Sequence, residues 1–242
     1  MRHFVLVHGA CHGAWCWYKV IAELKQAGHK VTALDLTACG IDRRQVEDVH
    51  GSVVEYSKPL LTFMASLPAA GSDDEKVILV GHSMAGSSLC MAMERFPEKI
   101  SVAAFLAAGM LGPDLTSQMV DEKVKFSTLY SRNLTESISM LTCASIYYTQ
   151  DLELGITLVR PCPIWDAEEA ARDTVLTNDR YGTVARAYVV CDEEKDGAFQ
   201  WWLIENNPPD EHVVIPGSDH MVMFSQPSLL SEYLLQLAAK YI

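Results

Sequence analysis

Val77-Ile78-Leu79-Val80-Gly81-His82-Ser83-Met84-Ala85-Gly86 is an apolar run that breaks at a glycine, turns through a serine and continues with helical spacing to Phe96. An apolar run with no alternation reads as a strand buried on both faces of a parallel sheet. The change of period after Gly81 marks strand, tight turn and helix, with Ser83 at the apex. Such a turn lifts the hydroxyl above the carboxyl ends of the strands. Small residues beside it let strand and helix approach, and the helix N-terminus favours negative charge on a reacting oxygen. The spacing is G-x-S-x-G with Ala85 in the fifth place and Gly86 directly after it. Alanine is small enough for the packing role. A plain strand–turn–helix with a chance serine has the same local pattern, so a nucleophilic Ser83 needs a base.

Outward from this stretch, residues 4–7, 30–36, 100–108, 187–191 and 212–215 are further apolar strand candidates. Residues 17–26, 53–67 and 228–241 have helical spacing, and Gly28 stops the first of these. Strands alternating with helices predict an α/β domain: a mostly parallel central sheet with helices on both faces. The alternation stops over 112–159, a polar, weakly helical stretch without a confident strand. It reads as a cap inserted into a single domain of residues 1–242. Phe126, Leu129, Tyr130, Tyr147 and Tyr148 are the residues with which it could roof a site.

His220 lies in the loop after the last strand, in Val213-Val214-Ile215-Pro216-Gly217-Ser218-Asp219-His220. A lone loop histidine is usually solvated, but this one follows a strand end, where a base can meet Ser83. Asp192, Glu193, Glu194 and Asp196 follow the 187–191 strand, and any of the four could orient the imidazole. The oxyanion donors expected are the backbone N–H groups of Met84, next to the serine, and Ala10, after the first strand. His8-Gly9-Ala10-Cys11-His12-Gly13-Ala14-Trp15 is rich in small residues, so backbone can approach a substrate oxygen there. His8 and His82 suit hydrogen bonding and loop shaping, whereas His3, His29, His50 and His212 read as surface residues.

The chain of 242 residues carries 19 Lys+Arg against 31 Asp+Glu, a net charge of −12. That balance repels phosphate backbones and argues against nucleic acid. No basic run suggests a membrane patch, and no apolar run approaches the roughly 20 residues of a membrane-spanning helix. The seven cysteines include no C-x-x-C pair, and an apolar strand follows Met1-Arg2-His3 directly, with no secretory signal. A cytoplasmic location is expected. The sequon Asn133-Leu134-Thr135 is then without meaning. The glycine-rich stretches match neither phosphate-binding pattern, and no metal-ligand spacing occurs, so no metal is expected.

Phe4-Val5-Leu6-Val7-His8-Gly9-Ala10-Cys11-His12-Gly13-Ala14-Trp15 resembles the opening of the plant methylesterases, the salicylate- and jasmonate-ester hydrolases grouped with the hydroxynitrile lyases. Gly28-His29-Lys30-Val31-Thr32-Ala33-Leu34-Asp35-Leu36, residues 76–83, Leu158-Val159-Arg160-Pro161 and Asp219-His220-Met221 match the same pattern in order. The resemblance implies an α/β-hydrolase fold with a cap, no cofactor, and Ser83 and His220 as catalytic residues in the order nucleophile, acid, histidine. By position the family's acid maps onto Glu194, where the family carries aspartate; Asp192 and Asp196 are the alternatives. Gly9, His12, His82 and Met221 are the substrate-binding residues expected. The hydroxynitrile lyases carry threonine at the place of Gly9 and lysine at the place of Met221, so the resemblance points to ester hydrolysis. The family's cap is several turns longer than 112–159. The expected activity is hydrolysis of small apolar carboxylic esters, methyl esters first. The alternatives are a lyase, decarboxylase or cyclase reaction on the same residues, or an inactive ligand-binding homologue. The partners this allows are a small-molecule ester and a second copy in a homodimer.

Overall fold

The computed structural model describes residues 1–49, 52–68, 75–125, 151–163, 165, 167–194 and 197–241. Among these residues six strands form one sheet: β1 (His3–Val7), β2 (Lys30–Leu34), β3 (Val77–His82), β4 (Ile100–Leu106), β5 (Ala185–Cys191) and β6 (Glu211–Ile215). Their order is β2-β1-β3-β4-β5-β6, and every pairing is parallel. The 30–36 candidate ends at Leu34, because the Leu36 N–H is given to His8 Nε2 (3.0 Å) and the Thr37 N–H to the Tyr56 carbonyl. Strand β4 ends at Leu106, where Ala107 turns to φ 43°.

Alternate strand residues face two apolar layers. Phe4, Leu6, Ile78 and Val80 pack with Trp17, Val20, Leu24, Leu230 and Leu234. These come from α1 (Tyr18–Gln26), the short helix before it, and the closing helix Pro227–Lys240. Val5, Val7 and Leu79 pack on the other face with Tyr56, Leu60, Met64, Leu89 and Leu203. Those come from α2 (Val53–Ser66), α3 (Ala85–Arg95) and a helix over Gly197–Asn206. Burying both faces is what makes the strands read as continuous apolar runs.

Helix α2 contains Pro59, which has no N–H for the Glu55 carbonyl one turn back. The Thr37 hydroxyl takes that place at 2.7 Å. The helix Gly197–Asn206 has no counterpart in the periodicity, since Phe199, Trp201, Trp202, Leu203 and Ile204 run around it and not along one face. Between β4 and β5 the described chain includes helices Ser117–Lys125, Leu152–Leu158 and Ala167–Asp173. The sheet thus resumes well after residue 159. The five aromatic and leucine residues named as roof candidates lie outside the described residues, as do His50 and Asp196.

His3 and His29 correct the surface reading. Both are half-buried: His3 Nε2 shares a hydrogen bond with Thr32 Oγ1 (2.8 Å), and His29 Nδ1 accepts the Arg2 N–H (3.1 Å). Burial lowers the pKa of His3 to about 4 and lowers that of His29. His212 is exposed, with its ring edge-on to Trp201. No helix among the described residues is long and apolar enough to cross a membrane.

Candidate active site

Ser83 follows β3 with φ 53°, a left-handed backbone that a non-glycine residue adopts only where its surroundings impose it. The surroundings here are explicit. The Ser83 N–H donates to the Leu106 carbonyl (3.1 Å), and the Ser83 carbonyl accepts from Gly86 (3.1 Å) and Gly109 (3.3 Å). A Cβ on Gly86 would lie 2.1 Å from the Gly109 carbonyl oxygen. Gly86 is therefore the small residue that lets this turn close on the neighbouring loop. Ala85 is fully buried.

His220 sits in the loop after β6. Its Nε2 is 3.0 Å from Ser83 Oγ, and its Nδ1 is 2.7 Å from Glu194 Oε1. With Nδ1–H donating to the carboxylate, Nε2 is left to accept the serine hydroxyl proton. Glu194 lies in the turn after β5. That strand end is held by Gln200, whose side chain accepts the Cys191 N–H and donates to the Cys191 carbonyl, both at 3.0 Å. The two loops are stitched together, since Glu193 N–H donates to the Ser218 carbonyl (3.0 Å) and Ser218 N–H to Asp192 Oδ1 (3.1 Å). Asp192, the first alternative acid, thus braces the histidine loop with an exposed side chain, whereas Glu194 meets the imidazole. Glu194 Oε2 is buried without a hydrogen-bond partner among the described residues.

His82 lies directly before the serine. Its Nε2–H donates to the His220 carbonyl (2.8 Å), and the two rings are 4.7 Å apart. Burial, with His220 beside it, pushes its pKa well below the ordinary histidine value, so the ring is neutral. A Cβ on Gly9 would fall 2.7 Å from His82 Nδ1 and 3.0 Å from Ser83 Cβ. The main chain after β1 therefore lies against the serine, and a side chain at position 9 would have to displace His82 or Ser83. Among the described residues neither the Ala10 nor the Met84 N–H donates a hydrogen bond. Met221, the residue after His220, is buried.

His12 and His82, expected as substrate contacts, each give a ring N–H to a main-chain carbonyl; for His12 it is that of Ala10, at 2.5 Å. His8 has both nitrogens engaged: Nε2 accepts from Leu36 and Nδ1–H donates to the Gly9 carbonyl (2.7 Å). Gln200 had no sequence signal as a brace, because its helix has no apolar stripe. No group of three or more metal-ligating side chains among the described residues could hold a metal ion.

Residues 4–232 match the alpha/beta hydrolase family. Methyl jasmonate esterase 1 of Vitis vinifera is 46% identical over 260 residues, covering 99% of this chain and 98% of that protein. The aligned length exceeds the 242 residues of this chain, so the relative carries stretches this chain lacks. Tomato methylketone synthase I complexed with 2-tridecanone superposes with a TM-score of 0.88 at 41% identity, covering 100% of this chain and 99% of that one. Polyneuridine aldehyde esterase superposes with a TM-score of 0.88 at 38% identity, covering 98% and 99%.

Proposed function

The chain belongs to the alpha/beta hydrolase family, and from that premise we propose that it is a serine esterase acting on small apolar carboxylic esters, methyl esters first. The observation that carries this reading is the hydrogen-bonded series Ser83 Oγ, His220 Nε2, His220 Nδ1 and Glu194 Oε1. Ser83 Oγ attacks the ester carbonyl carbon as its proton passes to His220 Nε2. Glu194 holds the imidazole in the needed tautomer and stabilises the imidazolium that forms. The Ala10 and Met84 N–H groups receive the oxyanion. The imidazolium then protonates the leaving alcohol, methanol for a methyl ester, and an acyl-enzyme remains. Water attacks it through the same base and frees the acid.

Each part needs neutral imidazole and ionised carboxylate but no metal or cofactor. Met221 offers an apolar side chain, so nothing at that position stabilises a leaving cyanide; this supports hydrolysis over cyanohydrin cleavage. We take residues 112–159 as a cap over the site and the cytoplasm as the compartment. The curated relative named for methyl jasmonate supports the methyl ester class. The test is a hydrolysis screen over methyl esters of small aromatic, indole, jasmonate-like and alkaloid acids, with a serine-reactive phosphonate as label. Turnover lost in Ser83→Ala, with one label at Ser83, is the expected result. Labelling elsewhere, or turnover that survives Ser83→Ala, would overturn it.

A further inference from the structure

The loop between β1 and α1 carries the expected donor Ala10, and its conformation has to be held by something. A planar trans peptide ties the direction of each N–H to that of the preceding carbonyl, which points the opposite way. Whatever holds the Gly9 carbonyl therefore aims the Ala10 N–H. Whatever holds the Ala10 carbonyl fixes the peptide plane on the other side of the same residue.

One residue does both. The His12 main-chain N–H donates to the Gly9 carbonyl at 3.5 Å, and its ring Nδ1–H donates to the Ala10 carbonyl at 2.5 Å. Cys11, between them, has φ 64°, and this left-handed residue folds the chain back so that position 12 reaches both carbonyls. The His12 ring is fixed in turn by stacking on Trp15, with centroids 5.4 Å apart and planes at 26°. The Gly9 carbonyl has a second donor in His8 Nδ1–H (2.7 Å). Both carbonyls around Ala10 are thus occupied by the protein, and the loop passes against Ser83, as the place of a Gly9 Cβ records.

We propose that His12 is a positioning residue for the oxyanion site: its ring clamps the peptide plane that follows Ala10, while its main-chain N–H and the His8 ring hold the plane that precedes it, so that loss of the ring lets residue 10 rotate and turns the Ala10 N–H away from the oxygen that becomes charged on Ser83. This rests on the esterase reading and replaces the expectation that His12 contacts substrate. Burial suits the task, because it lowers the ring's pKa to about 4. At neutral pH the ring is uncharged and carries one N–H, which the Ala10 carbonyl takes.

The test uses two variants of the full chain. His12→Leu keeps bulk and removes the ring donor; His12→Asn returns an N–H near the place of Nδ1. Kinetics are read on p-nitrophenyl acetate. Affinity is read for a trifluoromethyl ketone and the matching methyl ketone. The fluorinated ketone adds to Ser83: the serine oxygen bonds to the carbonyl carbon, the carbonyl pair moves onto oxygen, and the serine proton passes to His220. The ratio of the two affinities therefore reports the oxyanion site without turnover. In His12→Leu, kcat should fall about 10- to 100-fold, less than the roughly 10²–10³ for loss of a donor outright, with KM changed less than about threefold. The ketone ratio should shrink by a similar factor, and His12→Asn should recover most of both. Unchanged kcat and ketone ratio in a folded His12→Leu would overturn the proposal. So would a rise in KM at constant kcat, which is the mark of a substrate contact. Failure of the esterase reading looks different: wild-type turnover would be absent or would survive Ser83→Ala. If His12→Leu does not fold, His12→Asn decides, since wild-type-like kcat and ketone ratio support the clamp and their loss in a folded protein refutes it.

Discussion

At the residue scale the unusual member of the site is Glu194, one methylene longer than an aspartate and carried on a turn after β5. Its Oε1 meets His220 Nδ1 at 2.7 Å, so reach and charge can be tested apart. Glu194→Gln keeps the length and removes the charge; kcat should drop roughly 10²–10⁴-fold, as loss of the orienting carboxylate does in serine triads. Glu194→Asp keeps the charge and withdraws it by about one bond, so it should retain more activity than Glu194→Gln. Equal activity of wild type and Glu194→Gln in ester hydrolysis would exclude Glu194 as the acid. Gly9 gives a second prediction. A side chain there meets His82 Nδ1 and Ser83 Cβ at 2.7 and 3.0 Å. Gly9→Thr should cut esterase kcat by around 10²-fold, the order expected when reacting groups shift by about 1 Å. Steady-state kinetics with a small methyl ester decides it.

Buried imidazoles also couple the site to pH. Burial lowers the pKa of His8, His12 and His82 below 6.5, that of His12 to about 4. The folded state then binds fewer protons than the unfolded chain once pH drops below 6.5. Stability is full above pH 6.5 and declines as pH falls toward 4. Thermal unfolding followed by circular dichroism should show Tm decreasing across that window. A flat Tm from pH 6.5 to 4 would contradict the neutral assignment of these rings.

At the scale of elements, helices are positioned by polar bonds that hydrophobic patterning does not reveal. Helix α2 runs through Pro59, and the Glu55 carbonyl is served by the buried Thr37 hydroxyl. Thr37→Val leaves that carbonyl without this donor and takes an acceptor from Arg44 Nη2, 3.2 Å away. The expected loss is about 1–3 kcal/mol in urea unfolding, with Thr37→Ser much closer to wild type. A Thr37→Val protein as stable as wild type would mean the helix is served otherwise. The turn between β3 and α3 is governed by distance in the same way: Gly86 stands where any Cβ would strike the Gly109 carbonyl. The small residue that matters for closure is thus one place beyond the usual fifth position.

At the scale of the whole molecule, the segment between β4 and β5 is fastened to the first third of the chain. Asp151 is buried and accepts from Tyr18 OH and Lys19 Nζ, both at 2.7 Å. Arg160 donates to the carbonyls of Gly40, Asp42 and Arg44. The relative carries stretches this chain lacks, and a reduced 112–159 cap, as proposed here, would leave a more open site. A smaller cap excludes less water and presents fewer apolar side chains to the acyl group. Bulky methyl esters should enter, and kcat/KM should discriminate weakly between a small and a bulky acid. Sharp preference for one compact acid would mean that the shorter segment rebuilds the roof.

The central strands, the helices 17–26, 53–67 and 228–241, and the serine turn were legible in the sequence because burial on two faces and amphipathic spacing are local signals. Glycine beside an apolar run marked the turn at Ser83 for the same reason, and His220 was legible because it follows a strand end. Other features belong to the tertiary structure alone. Asp192, Glu193, Glu194 and Asp196 are indistinguishable as an acidic stretch, and only the family resemblance singled out Glu194; its contact with the imidazole depends on how the turns after β5 and β6 are braced by Gln200, Asp192 and Ser218. The helix at Gly197–Asn206 had no one-sided pattern to show, since apolar residues surround it. The service of Glu55 by Thr37, and of Ala10 by His12, are hydrogen bonds whose geometry no periodicity encodes. Hydrophobic burial is additive along a chain and can be read from composition in a window. A hydrogen bond needs two groups within about 3 Å and well aligned, and that is settled only once the chain has folded.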